Sequence, residues 1–508
     1  MTHTDIATRP PADGPDGPGA DVDDLAELGY RQELHRGLGG YASFASGFSF
    51  VSILTTVFAL FALGYGLGGP AFFWTWPVVF VCQFCVCLVF AELSGRFPVA
   101  GAIYQWSRRL AGEGVGWFAG WFMLVGYIVS VAALAIAMQT VLPMIWSGFQ
   151  LVGHDSSLTS VSGATNAIIL GSITIAACAV IGGVGVAFMG RITVIGVTVE
   201  IVGVVLMVAL MFLHAHRTPM QAVAGTAGHG HGLGYVPAFL ASMVMAAYVM
   251  YGFDSAAELS EETRDPRRTA PRAIVGALLL SAVGGGLMIL ATLMAAPSLG
   301  APELSGEGIA WVITSQLDTA MGKVLLGIVA IAIFSATLAI QASASRVMFS
   351  MARDDRLPFG AFLSHVNKRT GTPINTGIAV AVLAIAVLLV NLGQASVFAA
   401  ITSVSVVIVY LAYLMVTLPA LIQRVRRSAP PGDGPGLRLG RWGLPVNLVA
   451  VVMGAALLVD IAWPRAEVYD PDGGSTVLQY FSILFVAGTA VLGVIVHAYV
   501  RRLPRNRY

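Results

Sequence analysis

Residues 236–260 read VPAFLASMVMAAYVMYGFDSAAELS. The opening residues are apolar or small and suit a helix in lipid, until Tyr251-Gly252-Phe253-Asp254-Ser255 interrupts them with a glycine and a carboxylate. An earlier apolar segment, Tyr41–Gly66, carries a comparable small, polar run at Gly47, Ser49, Ser52, Thr55 and Thr56. The two interruptions lie roughly five membrane spans apart, in corresponding places. Irregular backbone is tolerated at membrane depth only where it lines a cavity or is buried in protein, because hydrocarbon offers its N–H and C=O groups no partner. Paired interruptions therefore point to the solute site of a secondary transporter.

Composition supports a membrane setting. The chain has 508 residues, 56% hydrophobic and 11% charged, with mean hydropathy +0.79, whereas a soluble domain carries about 25% charged residues. Stretches of about 20 apolar residues, enough to cross ~30 Å of hydrocarbon, recur throughout. Twelve spans are expected: Ala42–Gly66, Ala71–Leu93, Val115–Leu142, Asn166–Phe188, Ile192–Leu213, Val236–Leu259, Ala273–Met294, Val324–Phe349, Ile374–Leu392, Ala395–Ile422, Pro445–Ile461 and Val477–Val500. With both termini cytoplasmic, only Arg217, Lys323 and Arg465 of the 28 Lys and Arg residues fall outside, as the positive-inside rule requires. The expected setting is the plasma (inner) membrane, multi-pass. Basic loops then report topology, and no nucleic-acid partner is implied.

The Pro/Gly/Asp-rich start, Met1–Ala20, reads as a disordered cytoplasmic tail and shows no cleavable signal peptide. Asp21–Gly40 is charged and helix-capable, either a linker or a cover over the inner mouth of a pathway. The cytoplasmic N-terminal part spans 1–40, a ten-helix core 41–428, a Pro/Gly-rich linker 429–444, two further helices 445–500 and a cytoplasmic end 501–508. Glu303–Met321, with Ile309, Val312, Ile313 and Leu317 at helical spacing, reads as an amphipathic outer-surface helix. His229 and His231 sit in a Gly/His-rich outer loop, where a flexible loop competes with weak metal binding. Cys82 and Cys85 lie one turn apart, but small apolar packing explains them better than zinc. No cofactor is implied. No P-loop appears, so no ATP motor is visible, and Gly182-Gly183-Val184-Gly185 reads as helix packing. Nothing in the chain calls for an enzyme, and no catalytic residue is assigned.

Asp254 and Glu200 are the acids placed well inside spans, and an ionisable group there is a functional candidate. Glu200, flanked by Thr198, Val199, Ile201 and Val202, is assigned to proton coupling; a neutral carboxyl bonded to a neighbouring helix is the alternative. Asp254 is assigned as a gate, with a helix-cap role open beside it. Ser52, Leu54, Thr55, Thr56, Tyr248, Tyr251, Gly252 and Phe253 are the candidate substrate-binding residues. Thr55 and Thr56 mark the weakest helical point of the first span, where free N–H groups attract a carboxylate. The aromatic residues either pack a side chain or cup a cationic amine. Glu258, Glu261, Glu262, Arg264, Asp265, Arg267 and Arg268 read as a solvated loop with salt bridges, with an inner gate as the competing reading.

Three stretches carry a resemblance. Residues 252–263 (GFDSAAELSEET) with Asp265-Pro266 and Ala270-Pro271-Arg272-Ala273-Ile274 resemble the sixth-span signature of amino acid permeases. Ala91-Glu92-Leu93 and residues 97–106 (FPVAGAIYQW) resemble their second inner loop. Residues 28–34 (LGYRQEL), followed by Phe48-Ser49-Phe50, resemble the amino acid/choline transporter branch, with its GABA and choline permeases. The resemblance covers about residues 25–500 and implies the amino acid-polyamine-organocation superfamily. Its fold is all-α, with twelve transmembrane helices in a 5+5 inverted repeat (about 41–213 and 236–422) plus two C-terminal helices. Relatives carry a Gly-Ser-Gly-like break in the first span where Leu54-Thr55-Thr56 stands here, and several have lysine where Glu200 falls. The resemblance implies alternating-access transport of an amino acid or related amine; the departure at Glu200 is what points to proton coupling. A choline-, polyamine- or GABA-type permease is the rival within transport; it predicts aromatic faces rather than backbone N–H groups around the ligand head. A non-transporting membrane sensor is the rival outside it. The expected partners are a small solute, a proton and the lipid bilayer.

Overall fold

Long apolar runs fold as helices because a backbone in hydrocarbon must satisfy its own polar groups. The computed structural model describes residues 25–158, 160–226, 228, 234–390, 397–426, 436–469 and 475–502. Its principal helices are α1 (Gly40–Val51), α2 (Ile53–Gly68), α3 (Thr75–Arg96), α4 (Ala102–Ala111), α5 (Glu113–Ile145), α6 (Val161–Val184), α7 (Val186–Leu213) and α8 (Val236–Val249). They continue as α9 (Ser255–Glu258), α10 (Pro266–Ala295), α11 (Ile309–Gln316), α12 (Thr319–Arg353), α13 (Ile374–Val390), α14 (Val397–Val425), α15 (Gly443–Ala462) and α16 (Phe481–Arg502). Among the described residues there is no strand, only two isolated bridges, Leu38 with Thr263 and Asn367 with Thr372.

Among the described residues, ten helical stretches are long and apolar enough to cross a membrane, with α1 and α2 counted together as Gly40–Gly68. Two shorter apolar helices, Val236–Val249 and Ile374–Leu389, accompany them. The chain is an all-helical, multi-pass membrane protein. The most apolar stretch of α5 is 89% buried, against 17% for α16 and 28% for Gly440–Ala462. So α5 runs through the centre, packed on α12 and α14, while the last two helices lie at the edge. Around that axis α1 packs on α10 and α7, and α2 on α8.

Several boundaries move from those expected. The turn between the fourth and fifth spans falls at Gly185 (φ 147), not at residues 189–191, so Arg191 lies within α7. Glycine accepts that dihedral and ends α6 there. Glu303–Met321 is not one surface helix: Glu303–Gly306 and α11 are separated at Gly308 (φ 62), and Leu304, Ile309, Val312 and Ile313 are buried. The acidic run after Asp254 is also not a solvated loop. Glu258, Glu261 and Glu262 are fully buried, because bidentate guanidinium partners wait for the last two. The expectations for Met1–Ala20, His229, His231 and the first part of the 429–444 linker, residues 429–435, lie outside the described residues.

Residues 25–39 pack against one end of the bundle. Leu25, Leu34 and Leu38 are buried, and Leu38 exchanges backbone hydrogen bonds with Glu262 and Arg264. The segment lies across the ends of the helices, as a cover would.

Candidate functional site

The first interruption is at Ser52, between α1 and α2, and not at Thr55–Thr56. Ser52 is left-handed (φ 38, ψ 75), a conformation that costs a non-glycine residue about 1–2 kcal/mol. Its N–H donates to Phe48 O at 2.8 Å, closing the end of α1. Thr55 and Thr56 lie inside α2. The Thr56 hydroxyl donates back to Ser52 O at 2.9 Å, which a helix tolerates; that is why these residues do not break it.

A helix N-terminus leaves its first N–H groups without partners. Here Glu200, from the middle of α7, supplies an acceptor. Leu54 N–H donates to Glu200 Oε1 at 3.2 Å and the Ser52 hydroxyl to the same oxygen at 3.0 Å. Ser52 Oγ also lies 2.7 Å from Thr55 Oγ1, and Ser49 Oγ donates to Ser335 Oγ on α12 at 3.0 Å. Glu200 Oε2 has no hydrogen-bond partner, and the whole residue is buried. The helix dipole favours a negative group at this end of α2.

The second interruption runs from Met250 to Asp254, between α8 and α9. Gly252 has φ 90, and a Cβ there would stand 1.9 Å from Phe50 Cδ1. Only glycine fits, both by conformation and by space. Gly252 N–H donates to Tyr413 Oη at 2.9 Å. The Tyr413 hydroxyl donates in turn to Asp254 Oδ1, and the Tyr127 hydroxyl to Asp254 Oδ2 at 2.8 Å. The exposed amide of the break is thus joined through a phenol to a buried carboxylate. Tyr251 Oη lies 3.0 Å from Ser130 Oγ, with the Tyr248 ring edge-on to it at 5.5 Å. Phe253 packs against Tyr413 and Phe90.

Phe50 joins the two breaks. Two residues before Ser52, its ring sits 5.0 Å from Tyr127 and 5.9 Å from Tyr251. Ser255 Oγ donates to Ser46 O of α1 at 3.1 Å. The interrupted segments are therefore packed neighbours.

Beyond α9 the same strand of chain is clamped by ions. Glu262 makes a bidentate pair with Arg346 (2.8 and 2.9 Å) and Glu261 with Arg353 (2.8 and 2.9 Å). Arg353 stacks over Tyr30 at 4.1 Å. The Tyr30 hydroxyl donates to Asp354 at 3.0 Å, as does Tyr104 at 2.8 Å, and Arg108 pairs with the same carboxylate at 2.5 Å. Burial, then the Asp354 charge, push the Tyr30 phenol above its ordinary pKa. The covering segment 25–39 is thereby tied to α4 and α12.

The sequence matches the family described as amino acid permease over residues 38–492. The chain belongs to the amino acid permease family. Within it, the chain is 30% identical to "Amino-acid permease BAT1 homolog" of Oryza sativa subsp. japonica over 485 residues, 90% of each chain. It is 29% identical to "Amino-acid permease BAT1" of Arabidopsis thaliana, over 87% of this chain and 88% of that one. It is 28% identical to "Branched-chain amino acid permease BcaP" of Lactococcus lactis subsp. cremoris, over 63% of this chain and 68% of that one. The chain is a permease of the amino acid-polyamine-organocation superfamily, and both breaks interrupt its apolar helices.

Of the residues singled out from sequence, Ser52, Leu54, Thr55 and Glu200 come together at the first break. Tyr248, Tyr251, Gly252, Phe253 and Asp254 come together at the second. Thr56 turns to its own helix backbone. Tyr127, Ser130 and Tyr413 are not singled out by the sequence pattern, though each is a hydroxyl in the middle of an apolar helix. A buried tyrosine O–H needs a partner, and that was the available signal.

Proposed function

We propose that this chain is a secondary active amino acid permease that works by alternating access, with its solute held between the two breaks and a proton carried by Glu200. The observation that carries this reading is Glu200 on the Leu54 N–H. A fully buried carboxyl with one unpartnered oxygen and no ion pair stands where its protonation changes the first break directly. Charging such a group without a cation costs several kcal/mol, so a proton that neutralises it is coupled to whatever else occupies the break. Asp254, held by Tyr127 and Tyr413, serves as the gate beneath the solute.

The ten long helices and two shorter ones support twelve spans, and the matching breaks support inverted repeats of about 41–213 and 236–422. The end covered by residues 25–39 is taken as cytoplasmic, in a plasma membrane, because the Lys and Arg residues concentrate there. A second reading has its own support. The Leu54 N–H is already occupied, and aromatic rings surround Gly252, which favours recognition of an amine head over a carboxylate.

Uptake by the purified protein in proteoliposomes tests both. A panel of labelled leucine, GABA, arginine and choline is assayed with and without an inward proton gradient. Accumulation that needs the gradient and is lost in Glu200→Gln, with exchange retained, fits the proposal. Gradient-driven accumulation that survives Glu200→Gln contradicts the coupling role. Uptake confined to choline selects the second reading.

A further inference from the structure

Five carboxylates are fully buried in the described structure: Glu200, Asp254, Glu258, Glu261 and Glu262. Four have partners, as described above. Glu258 does not: neither of its oxygens makes a hydrogen bond. Its carboxyl faces the backbone N–H groups of Gly101, Ala102 and Ile103, at the start of α4. That ten-residue helix begins at Gly101 (φ 77) with no side-chain cap. A helix start with open N–H groups attracts a negative charge, yet no amide is aligned for a full hydrogen bond. Next to it, Ala100 N–H donates to Glu261 Oε1 at 3.1 Å. Chain 258–261 and chain 100–103 are thus held face to face where the bundle is covered.

The surroundings leave Glu258 as the adjustable member. Asp254, one turn back, is the charged group that reaches it. From α12, Arg346 and Arg353 are committed to Glu262 and Glu261. From α4, Tyr104 and Arg108 bind Asp354. From α5, Tyr127 binds Asp254. From α14, Tyr413 does the same. On the same helices, Glu92 of α3 pairs with Arg424 of α14, Glu113 of α5 with Arg356, Arg109 of α4 donates to Leu28 O and Tyr410 of α14 to Ala247 O. Cys82, Cys85, Cys87 and Arg96 of α3, Tyr41 of α1 and Lys323 near the start of α12 complete the titratable groups, and the arginines of α10 (Arg267, Arg268 and Arg272) lie toward its start.

The geometry points to Glu258 as a proton-operated latch: charged, it holds the start of α4 and keeps the covered end shut; protonated, it lets go and that end opens. The inference rests on the alternating-access reading and adds a second proton-handling residue to it, spatially separate from Glu200. Binding of the proton is the whole event, with no bond other than O–H made or broken.

The test reads opening without any solute. Ser260→Cys is placed in a protein whose four native cysteines are replaced by serine, and its labelling by a maleimide in proteoliposomes is read across about pH 5 to about pH 8 as the rate relative to free cysteine at the same pH, because the reacting thiolate itself increases with pH. With Glu258 present, labelling is expected to slow by about threefold or more as pH rises, a modest population shift. Glu258→Gln is expected to label at the fast rate throughout, and Glu258→Asp to restore the pH dependence. Unaltered pH dependence in Glu258→Gln, or none with Glu258 present, overturns the latch. Monodisperse elution and an unchanged Tm for each variant are required, and the Asp variant carries the test if Gln fails to fold. If the latch pattern holds while no panel solute is taken up, the transport reading fails and the latch stands.

Discussion

The two breaks solve one problem with opposite means. At Ser52 the backbone turns without glycine, and a carboxyl borrowed from α7 accepts from the Leu54 amide that the turn frees and from the Ser52 hydroxyl. At Gly252 the turn is made by glycine, and the exposed amide is answered by Tyr413, itself tied to a carboxylate four helical positions from Glu258. The first break is held by a buried carboxyl, to which the proposed function gives a proton, the second by sterics and a phenol network. That difference assigns adjustable coupling to the first and shape to the second.

The largest effect should come from Gly252→Ala. Its Cβ would overlap the Phe50 ring and the backbone would be strained by about 1–3 kcal/mol besides. Uptake should be abolished and Tm lowered; adding Phe50→Ala should recover part of the Tm but not the strain. Normal uptake by Gly252→Ala would show that the second break does not depend on shape.

Next comes Glu200→Gln. Gradient-driven accumulation should fall about tenfold or more, equivalent to at least about 1.4 kcal/mol, while solute exchange at equal pH persists. An equal loss of both activities would mean that Glu200 is structural and the breaks do not differ as argued.

A smaller effect is expected for Tyr413→Phe, which removes the partner of Gly252 N–H and one of two donors to Asp254. Unmet buried groups cost about 1–3 kcal/mol, so apparent affinity measured by uptake should weaken roughly tenfold. The smallest is a contrast at Ser52. Ser52→Gly relieves the left-handed strain but loses the hydroxyl bond to Glu200, so Tm should move little. Ser52→Ala keeps the strain and loses the bond, so its Tm should fall further. The reverse order would mean that Ser52 is not strained.

Much of this was legible in the residues. Gly252 with Asp254 marked the second break to within one residue, because a glycine and an acid two positions apart interrupt an otherwise apolar run. Glu200 stood out as an acid in a helix centre. The first break lies three residues before Thr55, where the sequence pattern points. Ser52 has no glycine to mark it, and its hydrogen-bond partner Glu200 lies 148 positions away. The pairing of Glu261 and Glu262 with Arg353 and Arg346 was hidden for the same reason: a charged run looks solvated until the distant guanidiniums that bury it are in place. Tyr127 and Tyr413 were silent because tyrosine is ordinary in a membrane helix until its hydroxyl partner is known.

The central claim is that a small solute sits between the Ser52 and Gly252 breaks. A cryo-EM map of the protein in lipid nanodiscs, with a transported panel solute at saturation, tests it most directly. The account predicts solute density bounded by Ser52–Leu54 on one side and Tyr251–Asp254 on the other, with both helices interrupted. Solute density elsewhere in the bundle, or either helix running unbroken, would contradict it.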